Sequence, residues 1–229
     1  MVYDKSMRVE SYSVGSYLHV IKRGARGLDI VRDDSDKWRF LKSLYMLNET
    51  FLDHNWTRST KGESMFHRPG DWPERSPLVE VVAYTLLPNH FHLILRETKE
   101  GGVSQFMQKL GQSMTNHFNE KYDEKGSLFQ GAFKSKTCTD DTYMRYLFAY
   151  VMVKNTFEMY PEGGLVGARK NFEYAWKWAL TYPFSSLREY AGTKNTPILS
   201  KQHFQEIFPN NSFKKFTKDV ILSGKWHEE

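Results

Sequence analysis

Hydrophobic and polar positions divide the chain into a regular series of elements. Residues 16–22, SYLHVIK, alternate as a strand does, and the RGARG stretch from Arg23 to Gly27 ends the run with two glycines and two arginines. From Asp33 to His54 the apolar residues recur at helical spacing. Phe40, Leu44, Leu47 and Phe51 form one stripe, which Leu41, Tyr45 and Leu52 widen. Asp33, Asp34 and Asp36 crowd its start, where the helix dipole favours acids. Residues 55–77 are mostly polar and contain three prolines and two glycines, the pattern of a surface insertion. LVEVVAYTLL (78–87) is β-branched and aromatic, Pro88-Asn89 makes a turn, and HFHLILRET (90–98) returns as an antiparallel partner. Val103, Phe106, Met107, Leu110, Met114 and Phe118 mark a second amphipathic helix over 103–121. Residues 124–138 hold a glycine turn and a short strand. Thr139-Asp140-Asp141 then caps a third helix running from Thr142 to Phe157.

The order is β-α-β-β-α-β followed by a helix, which predicts an α+β fold: an antiparallel sheet with helices packed on one face, in the split βαβ manner. Residues 1–160 are expected to form the main domain. Residues 161–229 are expected to be a C-terminal extension packed on or flanking it, with TYPFSSLREYAG (181–192) as its clearest packed element.

Composition changes this picture little. The 229 residues suffice for a real core, and the longest apolar runs are too short to span a bilayer. Met1 leads into polar residues rather than a signal segment. One cysteine, Cys138, excludes an internal disulfide, so a cytoplasmic address is expected. The net charge of +5 leans weakly toward a polyanionic partner.

The chemically unusual stretch is LLPNHFHLIL (86–95). Residues i and i+2 of a strand face the same way, so His90 and His92 project side by side. Two neutral imidazoles so placed can chelate one divalent cation; the motif is also that of a pair of surface or hydrogen-bonded histidines on a sheet edge. A structural zinc site needs four ligands, commonly cysteines, which a single cysteine cannot supply. A metal held by two side chains would keep positions open for water and phosphate oxygens.

YTLLPNHFHLIL, FMQKLGQSMTNHFNEKY, GSLFQGAFKS, DDTYMRYLFAYVMVKN and YPFSSLREYAG occur in that order. Together they resemble the single-tyrosine HUH transposases (His-hydrophobic-His), especially the REP-associated tyrosine transposases of the IS200-like group, over residues 14–193. The resemblance implies a ferredoxin-like sheet followed by a catalytic helix. It implies an endonuclease and strand transferase, dependent on Mg²⁺ or Mn²⁺, that acts on single-stranded DNA at hairpin or repeat-derived sites. It also implies a tyrosine nucleophile that leaves a 5′-phosphotyrosine link and a free 3′-OH. Aligned on Asp140-Asp141-Thr142-Tyr143, the nucleophile falls on Tyr150, with Tyr146 in reserve. A nucleoid-associated protein is implied, and a homodimer is left open.

The resembled family has Gln or Asn as third metal ligand four residues after the tyrosine. Here that position is Lys154, and Asn155 follows it. Five residues of regular helix rotate about 500°, leaving Asn155 about 140° from Tyr150. Three outcomes are open. A one-residue π-bulge between 150 and 155 restores Asn155 to the site; Lys154 sits over the scissile phosphate while another group completes the metal shell; or the site has decayed, leaving a non-catalytic binder of structured single-stranded DNA or RNA. Lys22, Arg23, Arg26, Lys134 and Lys136, interspersed with aromatics, are further candidates for contacting DNA.

Overall fold

The computed structural model describes residues 12–51 and 53–224. Strand β1 (Tyr17–Arg23), helix α1 (Asp34–Met46), the single turn α2 (Trp56–Ser59), strands β2 (Val79–Leu86) and β3 (His90–Glu97), helix α3 (Gly102–Tyr122) and strand β4 (Lys134–Cys138) follow in sequence. The strands form one sheet in the order β2-β3-β1-β4, every neighbouring pair antiparallel. This is the ferredoxin-like arrangement of two split βαβ halves, the fold class the pattern predicts.

The acidic start of α1 is a capping box. Asp33 accepts from the Asp36 amide at 3.1 Å, and the Asp36 carboxylate accepts from the Asp33 amide at 3.3 Å. The helix stops at Met46, short of the His54 that periodicity suggests. Asn48 is the cause. Its buried amide donates to Val79 O at 2.8 Å and accepts from the Leu78 and Val79 amides at 3.0 Å, fastening the start of β2 where another helical turn would have run. Phe51 is accordingly turned out, 37% exposed. The 55–77 segment is anchored by Trp56, buried against Met46 and Leu47.

Strand alternation gives the sheet two different faces. Leu18 and Val20 of β1 and Phe91, Leu93 and Leu95 of β3 meet Phe40, Leu41 and Leu44 of α1 and Val103, Phe106, Met107 and Leu110 of α3 in one apolar core. The expectation of helices on one face holds for these two. The other face receives the rest of the chain: α4 (Asp141–Ala149), a π-helical turn (Tyr150–Lys154), α5 (Asn155–Glu158), α6 (Gly164–Lys170), α7 (Phe172–Ala179), α8 (Leu187–Tyr190), α9 (Gln202–Ile207) and α10 (Phe213–Ser223). Met144, Leu147, Phe148 and Met152 share a second core with Val82, Ala83 and Ile94 of the sheet and with Trp176, Phe204 and Ile221 of the extension.

The extension also closes the outer edge of β2. Backbone bonds run from Leu86 N to Phe184 O at 2.9 Å, Ser186 N to Tyr84 O at 3.0 Å and Ser200 N to Val81 O at 2.9 Å. Among the described residues no helix is long and apolar enough to cross a membrane.

Candidate active site

His90 and His92 lie on the face that carries α4 and the π turn, since Arg23 pairs with His90 and Ile21 with His92 across the β1–β3 ladder. The preceding loop orders them. Gly24 N donates to Asn89 O at 2.8 Å and Ile30 N to Pro88 O at 2.7 Å, so the RGARG turn supports the Pro88-Asn89 corner. A Cβ on Gly24 would sit 2.1 Å from Leu28 O, so only glycine fits there. The Asn89 amide donates to Gly27 O at 3.2 Å, which turns its Oδ1 toward His90 Nδ1, 2.6 Å away. An amide oxygen can only accept, so His90 carries its proton on Nδ1 and keeps a lone pair on Nε2.

His92 is buried, and its Nδ1 lies 2.8 Å from Nε2 of His19 on β1. Burial holds His90 down to about 4, reinforced by the charge of Arg23 and, after the opposing pull of Glu158, by Lys154. Burial likewise holds His92 well below the usual imidazole range, with His19, His90, Lys154 and Arg23 adding to it. Both rings are neutral at neutral pH, the form that binds metal.

Tyr150 faces them. Its ring centroid is 5.5 Å from that of His92 and 5.8 Å from that of His19, both edge-on. The other tyrosines of the helix stand elsewhere: Tyr146 lies against Phe216 of α10, and Tyr143 lies under the ammonium of Lys136.

The helix is π-wound from Tyr150 to Lys154, and the Asn155 amide donates to Tyr150 O, five residues back. The wide turn thus brings Asn155 back toward the side of Tyr150, reducing the 140° offset of a regular helix. The carbonyls inside this turn are held from outside it. Thr85 Oγ1 donates to Val151 O, and Ser185 Oγ donates to Met152 O at 3.0 Å, both hydroxyls fully buried. Asn155 itself is buried, with no hydrogen-bond partner for Nδ2. Lys154 pairs with Glu158 and holds its ammonium 4.7 Å from the Tyr150 ring centre.

Among the described residues no three His, Cys, Asp or Glu side chains are grouped to hold a metal. The donor set on this face is therefore two neutral imidazoles and the Asn155 amide. That set suits a divalent cation with open positions: Asn155 would ligate through Oδ1, while its buried, unpartnered Nδ2 is a donor rather than a ligand. No carboxylate is among these donors, so the set leaves a bound divalent cation with its positive charge uncompensated.

Beside the histidines a cavity of about 530 Å³ opens over β1 and β4, lined by His19, Ile21, Arg23, Gln130, Ala132, Lys134, Ser135 and Lys136. The Oγ of Ser135 is buried there without a partner. Arg23, Lys134 and Lys136 are exposed. Arg26 is exposed on the turn beyond β1, in left-handed conformation with φ 56°. Lys22 points to the opposite face, where its ammonium donates to Gly131 O at 2.8 Å and covers the Phe129 ring at 4.9 Å.

The fold and this face define a ferredoxin-like domain with a His-x-His strand opposed by a helical tyrosine. Residues 74–154 match the family model described as "Transposase IS200 like", a span that includes both histidines, Tyr150 and the whole π turn. Over this span the chain is similar to the IS200-like transposases, and the match supports a transposase-like role in DNA processing. A solved structure of a REP-associated tyrosine transposase bound to a REP hairpin matches with a TM-score of 0.48 and 14% identity, over 85% of this chain and 89% of that one. No curated protein matches the sequence.

Sequence reasoning passed over His19, Asn89, Thr85 and Ser185. His19 had a usable signal, since it shares strand parity with Tyr17 and Ile21. Its meeting with His92 depends on the β1–β3 register, which no local pattern reveals.

Proposed function

We propose that the protein nicks and rejoins single-stranded DNA, with Tyr150 as nucleophile and His90, His92 and Asn155 as the donors for Mg²⁺ or Mn²⁺. The observation that carries this reading is the π turn, which brings Asn155 back toward the side of Tyr150 while the Tyr150 ring rests against His92.

The Tyr150 oxygen attacks the phosphorus. The bond to the 3′ oxygen breaks as the tyrosyl–phosphate bond forms, leaving the 5′ side on the protein. The proton lost by the phenol is balanced by the one the departing 3′ oxygen takes up. A phenol has pKa near 10, so about one in a thousand is ionised at neutral pH. The Lys154 ammonium over the ring would set a positive charge beside the attacked phosphate. A cation on the three donors would polarise the phosphate and offset the charge growing on its oxygens. The phenolate is also a fair leaving group, so the link retains the broken bond for transfer to a second 3′-OH. Arg23, Lys134 and Lys136 neutralise phosphates along the groove over β1 and β4. Its occupant, on this reading, is an unpaired strand next to a hairpin.

The test is covalent capture. Protein is mixed with labelled hairpin oligonucleotides carrying single-stranded flanks, with Mn²⁺ or with EDTA, and resolved on a denaturing gel. The native chain is expected to give a Mn²⁺-dependent retarded band. Tyr150→Phe should lose that band while keeping hairpin affinity within about twofold. Equal capture by Tyr150→Phe rejects the nucleophile. Hairpin binding with no capture by the native chain, with or without metal, replaces the enzyme with a non-catalytic binder.

A further inference from the structure

We propose that His19 is a positioning residue: its Nε2 accepts the Nδ1–H of His92, which keeps the Nε2 lone pair of His92 free for a cation. This rests on the reading of His92 as a metal donor.

The two rings lie nearly parallel, 18° apart, with centroids separated by 5.1 Å and a nitrogen–nitrogen distance of 2.8 Å. Two ring nitrogens at that distance share one proton, so one ring donates and the other accepts. If His19 donated, His92 would carry its own proton on Nε2 and could not ligate through that atom. If His92 donates, it takes the same tautomer that Asn89 imposes on His90, and the two neighbouring rings present matching lone pairs. His19 is 1% exposed and His92 2%, so water does not compete for the bond. Orientation of a ligating imidazole through its second nitrogen is the ordinary task of an outer partner. Here the partner is a third histidine, reached diagonally across the β1–β3 ladder, where Ile21 faces His92 and His19 faces Ile94. It also flanks Tyr150, so one side chain touches both halves of the proposed site.

The first measurement needs no metal and no activity. Long-range ¹H–¹⁵N spectra of the imidazoles in the metal-free protein should show His92 protonated on Nδ1. His19→Leu, which fills the buried site without an acceptor, should move that proton to Nε2. His19→Gln, whose amide oxygen can accept, should keep it on Nδ1. Circular dichroism confirms that each variant is folded. Should His19→Leu fail to fold, the native spectrum and His19→Gln still decide. A native His92 with its proton on Nε2, or a His92 tautomer unchanged in folded His19→Leu, overturns the proposal.

The second measurement is Mn²⁺ titration followed by electron paramagnetic resonance, with hairpin oligonucleotide present. His19→Leu should weaken Mn²⁺ about 10- to 100-fold, His19→Gln less than about threefold, and His92→Ala should abolish binding. Full Mn²⁺ affinity in His19→Leu defeats the positioning role. Equal Mn²⁺ affinity in the native chain and His92→Ala defeats instead the metal reading beneath it, and the two failures are distinct.

Discussion

The two faces of the sheet are built from the same strands and do different work. Toward α1 and α3, β1 and β3 present Leu18, Val20, Phe91, Leu93 and Leu95, all fully buried in an apolar core. Toward α4 and the π turn, the alternate positions of those strands are Tyr17, His19, Ile21, His90, His92 and Ile94. Ile94, with Val82 and Ala83, seats the helix at one end, and the imidazoles occupy the other. Buried polar rings are tolerable there because each has a partner: Asn89 for His90, and His19 and His92 for one another. The first face is cohesive throughout, whereas the second sets groups that a purely apolar core would exclude beside a core of its own. The helix differs in the same sense. Those on the cohesive face are regular, whereas the helix on the reactive face is wound wide at Tyr150.

The largest expected effect lies on the cohesive face. Phe106 is fully buried between α3 and the sheet, and Phe106→Ala should cost about 3–5 kcal/mol through lost burial and a cavity. Chemical denaturation will show the loss. Below the transition the surviving folded protein should bind Mn²⁺ as before, because the cavity lies behind the sheet. A folded variant with disturbed Mn²⁺ affinity would mean that the two faces are coupled.

Next come the hydroxyls that hold the π turn. Thr85→Val removes the side-chain donor to Val151 O, a loss of about 1–3 kcal/mol, whereas Ser185→Ala should cost less, because Thr156 Oγ1 still donates to Met152 O at 2.7 Å. The distinctive outcome is local. Amide exchange across 150–155 should accelerate more than exchange in α3, and covalent capture should fall further than stability does. Uniform acceleration throughout the chain would show that the hydroxyls merely contribute to general packing.

Much of this was legible from the sequence. The helix starts were readable because Asp33 and Asp140 are capping residues with local partners. The hairpin was readable because Pro88-Asn89 interrupts two β-branched runs. Even the π turn was accessible as an arithmetic conflict: Asn155 stood one residue too far for a regular helix. What closes the site was hidden, because Thr85, Ser185 and His19 act across separations of 66, 33 and 73 residues. The premature end of α1 was hidden for a similar reason. Asn48 reads as a helical surface position until β2 is in place to receive its amide.

A smaller effect concerns pH. His90 titrates near 4 in the folded chain against an ordinary 6.5 unfolded, and His92 is displaced the same way. Between these values the unfolded chain binds more protons than the folded one, so stability falls as pH drops from 6.5 toward 4. The depressed carboxylate Glu173, at about 2 in the folded state, enters only below its unfolded value of about 4.5. Urea midpoints in EDTA between pH 7 and 5 therefore isolate the histidines. The midpoint should decline across that range, and His90→Gln should flatten the decline. A pH-independent midpoint for the native chain would mean that these rings are not held neutral.

The smallest effect separates lysines that sequence alone could not. Lys134 and Lys136 are exposed on the rim of the groove, whereas Lys22 lies behind the sheet, its aliphatic stem against Gly111 of α3 and its ammonium on Gly131 O. Burial lowers the Lys22 pKa, as expected of an amine withdrawn from water. Each lysine on a single-stranded phosphate contributes about 0.7 to the slope of log affinity against log salt. Lys134→Gln with Lys136→Gln should therefore reduce that slope by about 1.4, weakening oligonucleotide binding most at low salt. Lys22→Met should leave the slope unchanged and act on stability instead, since the hydrogen bond to Gly131 O and the cover over Phe129 are structural. Fluorescence anisotropy across a salt series reads all three variants. Were Lys22→Met to lower the slope as much as the paired substitution, nucleic acid would have to reach the α1/α3 side, and the division of labour between the faces would fail for binding even if it held for chemistry.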